Sequence, residues 1–297
     1  VEAKRIGERI KALRTDKMMT QRDLAGSAIT RNMLSQIENG LANPSLATIQ
    51  YLAQRLNVPA GYLLADERDE IIYVKSAKMA EIKQAYASGN VKICRDICLH
   101  TDYEHDDELL LMLAECTLAL AIEKFNRGAL HASCALLDEA VGYGQKSLYT
   151  AQHVTAIAAT YFRYMRRISV TLSSDRIDEM SESFYPAMTH EFSRYAIAIE
   201  RLEGKDREGA ERIFPDREGE TPISLHFCAR LCYADGDRER AYELLHRILT
   251  NFDAVPEPVM YFVFSDLEEL SKELDDFKSA YTYSMSKIAL GDRLVSE

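Results

Sequence analysis

The chain has 297 residues, 47% of them apolar and 28% charged, with 47 acidic side chains against 36 basic ones for a net charge of −11. No apolar run approaches the ~20 residues needed to span a bilayer. Six cysteines without Cys-x-x-Cys knuckles or fixed histidine partners set aside a zinc or disulfide scaffold. With no signal-peptide pattern at the N-terminus, a soluble cytoplasmic protein of two domains, or of one small domain and a repeat array, is expected.

In chain order, a helix is expected from about Ala3 to Thr15, with Ile6, Ile10 and Leu13 on one face. A Lys17-Met18-Met19 link leads to two short helices joined by a tight turn. Thr20 is placed to cap the first, in which Leu24 and Ala25 face inward. Thr30 is placed to cap the second, in which Met33, Leu34 and Ile37 form the stripe that packs on a core. Gly40 after Asn39 is a natural stop. Left outside on the second helix are Arg31, Asn32, Ser35 and Gln36, which can donate to and accept from base edges. The Leu41-Ala42-Asn43-Pro44 loop leads to a fourth helix capped by Ser45 and ending near Asn57-Val58, and Pro59 starts a short fifth. The polar run from Ala65 to Glu70 is expected to be a linker, which divides the chain into 1–65 and 66–297.

Residues 4–64 resemble the Xre/Cro-repressor type of helix-turn-helix domain. The resemblance is carried by Gln21, Leu24-Ala25, Ile37-Glu38-Asn39-Gly40, Asn43-Pro44-Ser45, and the spacing of Leu46, Ile49, Leu52-Ala53 and Leu56-Asn57-Val58. The family often has Gly-Val/Ile-Ser before its third helix, where this chain has Ser27-Ala28-Ile29-Thr30. The resemblance implies a five-helix bundle that binds double-stranded DNA. By chemistry and by match to the pattern, Gln21 and Arg22 reach phosphates, while Arg31, Asn32 and Gln36 read bases. Ser35 adds a shorter contact, Asn39 and Asn43 hold the backbone near the following loop, and Glu38 bonds within the domain. Charge agrees: residues 1–64 hold nine basic and five acidic side chains, and the remainder 27 basic and 42 acidic. A basic head on an acidic body is attracted to phosphate at one end only. A homodimer on a palindromic operator, with half-sites about one turn (~34 Å) apart, is expected.

Beyond the head the sequence reads as helical throughout: an amphipathic helix, a short turn with Gly or Asp, and a second amphipathic helix containing Ala. Marks at Gly89, Gly128, Ser174, Gly204, Gly236 and Asp275 scatter around the ~34-residue tetratricopeptide period. The fold class expected is therefore all-α, a helix-turn-helix head followed by a right-handed solenoid of tetratricopeptide-like hairpins with a concave inner surface. No catalytic constellation, cofactor motif or metal site is present in the sequence, and an enzyme is not expected.

A head of this type followed by such repeats resembles the bacterial RRNPP (Rgg/PlcR/PrgX) peptide-receptor regulators. The resemblance implies a transcription regulator whose concave body binds a short signalling peptide. Family members often hold the peptide backbone with a ladder of Asn side chains, whereas this body has only Asn90, Asn126 and Asn251, out of register. Tyr161, Arg163, Tyr164, Tyr195, His226, Arg230 and Tyr261 lie on the first helices of their hairpins and are the candidates to line the groove instead, with ordinary packing between repeats as the competing role. The alternative of a different class is a protein-interaction scaffold whose head only localises it.

Overall fold

A computed structural model describes residues 2–65, 67–101, 106–149, 151–172, 190–215, 221–251 and 255–296. Among these residues there are sixteen helices and no strand. The chain divides into two compact units, Val1–Glu81 and Ile82–Glu297.

In the first unit, α1 (Glu2–Asp16), α2 (Gln21–Ala25), α3 (Arg31–Glu38), α4 (Leu46–Leu56) and α5 (Ala60–Leu64) surround one apolar core. Ile6 and Ile10 of α1, Leu24 of α2, Leu34 and Ile37 of α3, and Leu52 and Leu56 of α4 are buried there. Three of these helices begin at side-chain caps. The Thr20 hydroxyl accepts from the Asp23 N–H while Asp23 accepts from the Thr20 N–H, closing a reciprocal box. Thr30 and Ser45 accept from the N–H groups of Met33 and Thr48. Met33 itself departs from the expected stripe. It is 38% exposed, because α3 buries only Leu34, Ile37 and Glu38, and Met33 lies outside the arc these three define.

Close backbone approach sets how α1 meets α3. A Cβ on Gly7 would lie 2.0 Å from the Ile37 carbonyl oxygen, so only glycine permits this crossing. The last helix beginning in this unit is α6 (Glu67–Ala87). Residues 67–70, expected in a linker, are helical. Glu and Arg are good helix formers, and carboxylates are favourable near a helix N-terminus, so polarity there does not signal a break.

The second unit contains α7 (Val91–Leu99), α8 (Asp107–Asn126), α9 (Leu130–Lys146), α10 (Gln152–Arg166), α11 (Glu191–Glu203), α12 (Arg207–Ile213), α13 (Pro222–Ala234), α14 (Arg238–Asn251), α15 (Glu257–Glu273) and α16 (Phe277–Ser296). α8 with α9, α11 with α12, α13 with α14, and α15 with α16 form the closely packed hairpins. At Gly89, Gly128, Gly236 and Asp275 the chain reverses through the left-handed region, as the register marks anticipate. After α11 it is Lys205, not Gly204, that takes this conformation. The mark at Ser174 lies outside the described residues.

Among the described residues, aromatic rings pack the interior of this unit. Phe125 of α8 packs edge-on against Tyr161 of α10 at 4.7 Å and Phe192 of α11 at 5.0 Å, and Phe262 of α15 meets Tyr164 of α10 at 5.1 Å. α15 also contacts α8, and α16 contacts α9. There Gly128 lies against Glu257 and Leu294, and His131 Nε2 is 2.9 Å from the Val295 carbonyl oxygen. The last hairpin thus returns to the α8/α9 hairpin.

Candidate functional site

The candidate nucleic-acid face is built on α3. With Leu34, Ile37 and Glu38 turned inward, Arg31, Asn32 and Gln36 stand exposed on the opposite side and Ser35 lies half-buried at its edge. Thr30 holds the helix N-terminus, and Ile29, half-buried, packs the preceding turn onto the core. Asn39 is the exposed C-cap of α3, and Asn43 is exposed in the loop that follows. Arg22 is exposed on α2. Met33, expected in the core, joins the outer surface of α3, where an apolar side chain can meet a thymine methyl.

What fixes this face lies behind it. The carboxylate of Glu38, only 3% exposed, receives Arg14 Nε at 2.6 Å and Nη2 at 3.1 Å. Gln21 Nε2 donates to the same carboxylate at 2.8 Å, and Arg14 Nη1 donates to the Met19 carbonyl at 2.8 Å. One buried carboxylate therefore ties the end of α1, the start of α2 and the end of α3. The bond to Glu38 raises the pKa of Arg14 against the effect of its burial. Gln21, expected at phosphate, keeps one amide hydrogen outside this bond, and its orientation is set by Glu38. From the other side, the Tyr51 hydroxyl donates to the Ala25 carbonyl at 3.0 Å and Arg55 to the Asp23 carbonyl at 2.5 Å, holding α2 against α4. The role of Arg14 was open to sequence reasoning through Glu38: an acid inside an apolar stripe requires a cation. Gly7 offered no such signal.

In the body, the seven residues expected along a groove separate. Tyr161, Tyr164, Tyr195 and His226 are all at most 2% exposed. The Tyr164 and Tyr195 hydroxyls are 3.4 Å apart, Tyr195 Oη is 2.5 Å from His226 Nδ1, and His226 Nε2 is 3.0 Å from Asp266. With Nε2–H donating to Asp266 and Nδ1 accepting from Tyr195, one tautomer satisfies each member. Arg230, half-buried, donates to Asp266 at 2.8 Å and to Glu203 at 2.9 Å, and Arg167 donates to Glu203 at 2.5 Å. Burial pushes the Asp266 carboxyl up, but His226 and Arg230 outweigh it and hold the group below its ordinary range. Tyr261 packs on Gly291, whose added Cβ would meet its ring at 3.1 Å. Arg163, half-buried, borders a cleft between α10 and α11, as does Tyr164. Among the described residues no group of His, Cys, Asp and Glu is placed to hold a metal ion, and no helix is long and apolar enough to cross a membrane.

A capped short helix, a tight turn, and a second helix whose polar face is braced from behind define a helix-turn-helix protein. The helix-turn-helix family model matches residues 10–63. The chain is 36% identical over 110 residues to the immunity repressor protein of Bacillus phage phi105, covering 35% of this chain and 68% of the repressor. It belongs to the helix-turn-helix family that includes this repressor. Among solved structures, PlcR of Bacillus thuringiensis in complex with a peptide and DNA aligns over 99% of this chain and 100% of its own at 14% identity and a TM-score of 0.28. Apo ComR of S. thermophilus aligns over 98% and 95% at 16% identity and a TM-score of 0.35. Likeness at that level leaves the function to be argued from the residues of this chain.

Proposed function

We propose that this protein is a sequence-specific DNA-binding transcription regulator, acting in the cytoplasm, whose repeat body responds to a short peptide. α3 enters the major groove, with Arg31 directed to guanine and Asn32 and Gln36 to adenine edges, and Ser35 adding a shorter contact. Arg22 and the remaining Gln21 donor reach phosphate, and Asn39 and Asn43 lie by the backbone beyond the helix. Residues 1–65 carry this reading head and residues 66–297 the sensing and pairing body. The carrying observation is the uncovered polar face of α3 opposite the buried Glu38 carboxylate that sets its orientation.

One such head reads few base pairs, so two copies on a two-fold site are required for a specific operator. Phe277, Tyr281, Met285 and Ile288 are exposed at helical spacing along α16, the last hairpin. A stripe of exposed apolar side chains on one helix face is costly in water, and we assign it to contact with the second copy.

The experiment is selection of genomic DNA fragments by purified full-length protein at moderate salt, followed by sequencing. Recovery of a palindromic site, with affinity falling steeply as salt rises, is the expected result. Random fragments only, weakly held at every salt concentration, would sink the regulator reading and leave the interaction scaffold.

A further inference from the structure

The outward face of α3 is wider than its polar residues. At about 100° per residue along a helix, the inward arc of Leu34, Ile37 and Glu38 leaves Asn32 and Gln36 pointing most directly away from the core. Arg31 and Ser35 stand on one shoulder of that face, and Met33 stands on the other, about 60° from Gln36. Met33 also precedes Gln36 by three residues, so the two side chains are neighbours on the helix surface. The polar arc therefore has an apolar border beside Gln36.

The root of that border is fixed. The Met33 N–H donates to the Thr30 hydroxyl oxygen at 3.1 Å, within the first turn of α3. Leu34 and Ile37, one and four residues further on, are fully enclosed in the core. Met33 itself keeps 38% of its surface open, in the part of a recognition helix that meets base edges. Its side chain is unbranched and polarisable and turns about several bonds, so it adapts to an apolar group whose position is set by other contacts.

In the major groove the apolar group that a base presents is the C5 methyl of thymine. Methylated cytosine carries a methyl at the same ring position. Hydrogen-bonding side chains such as Arg31, Asn32 and Gln36 do not distinguish thymine from uracil, or methylated from plain cytosine, because the difference holds no donor or acceptor. An apolar contact does.

We propose that Met33 is a specificity-determining residue that recognises a pyrimidine 5-methyl group in the base pair beside the adenine taken by Gln36. The inference rests on the regulator reading and supplies one position of its operator. The probe is the operator recovered by selection, remade with single thymines replaced by uracil, or single cytosines by 5-methylcytosine, symmetrically in both half-sites. Uracil keeps every hydrogen-bonding group of thymine and lacks the methyl alone. Affinities for full-length wild type, Met33→Ala and Met33→Leu are read by fluorescence anisotropy.

Burying one methyl changes affinity about fourfold, so uracil at one symmetric thymine position is expected to cost wild type about fourfold per half-site. In Met33→Ala that cost should shrink below twofold, while Met33→Leu, with an apolar tip of similar size, should retain it. If the position holds cytosine instead, 5-methylcytosine should raise wild-type affinity by a similar factor and leave Met33→Ala unmoved. Because Met33 lies outside the core, Met33→Ala should keep the wild-type thermal transition, which separates a lost contact from a lost fold. An operator that responds at no position to loss or gain of a methyl, or responds equally in Met33→Ala, would overturn the proposal and leave the regulator reading standing. Recovery of no preferred sequence at all would overturn both.

Discussion

The head and the body bury polar groups for opposite ends. In the head one carboxylate, Glu38, ties together three helices and leaves the outer face of α3 polar and uncovered. In the body a longer polar chain runs among Tyr164, Tyr195, His226, Asp266 and Arg230, beside edge-on and tilted aromatic rings. The contrast is between one carboxylate that orients an outer surface and a chain of polar groups that ties helices together from within. A buried pair that fixes orientation is costly to disrupt, whereas the chain in the body runs from enclosed tyrosines to a half-buried arginine, Arg230.

The largest effect should come from Glu38→Ala. It leaves Arg14 partly buried without its carboxylate, a change that costs about 3–5 kcal/mol when one member of a buried pair is removed. Thermal unfolding should show the head melting far below the body, and an unaltered profile would break the comparison at its first point. Next is the Arg31→Ala, Gln36→Ala double variant. Each lost base contact is worth ~1–3 kcal/mol, so specific affinity should fall roughly a hundredfold in a gel-shift assay while the fold is kept. Wild-type affinity in this variant would mean that α3 presents another face.

A body-specific test uses Glu268 of α15, which receives Lys272 and Lys287, each at 2.5 Å. These bonds hold its carboxyl down to about 2, against the ordinary 4.5. Because the folded-state pKa is depressed, the stabilisation is complete above about pH 4.5 and is lost as pH falls towards 2. Glu268→Gln should lower stability at pH 6 by about 2 kcal/mol, allowing for the exposure of Lys272, and the difference should vanish near pH 2. A difference that grows on acidification would contradict the sign. The smallest effect belongs to Thr20→Ala, which removes one cap of α2 at about 1 kcal/mol. It should shift the head transition by a few degrees and leave the near-UV signal of the body unmoved.

Much of the head was legible in its sequence because local chemistry decides it. Thr20, Thr30 and Ser45 mark helix starts by what their hydroxyls can accept, and Leu34 and Ile37 mark the inward side of α3. Met33 was misplaced because a helix of eight residues gives too short a period to distinguish the core stripe from its shoulder. Gly7 could not be read at all, since a close crossing depends on where a distant backbone lies. In the body, the hairpin turns followed from Gly and Asp. The enclosure of Tyr161, Tyr164, Tyr195 and His226 did not, because each helix carries an apolar side whichever neighbour covers it. That Phe262 would cover Tyr164, from about a hundred residues away, is a property of how the last hairpin returns and not of any window of sequence.

That return changes how the body can come apart. In an open stack each hairpin leans only on its neighbours, so the end units fray first and melting proceeds by degrees. Here α15 rests on α8 and α16 on α9. The α15/α16 hairpin therefore has two sets of supports, α14 before it and the α8/α9 hairpin, and releasing it also strips cover from α8. Unfolding should be concerted, with amides of α16 exchanging at rates close to those of the interior helices, and deletion of α15 and α16 should destabilise α8 and α9 as well as the hairpin beside them.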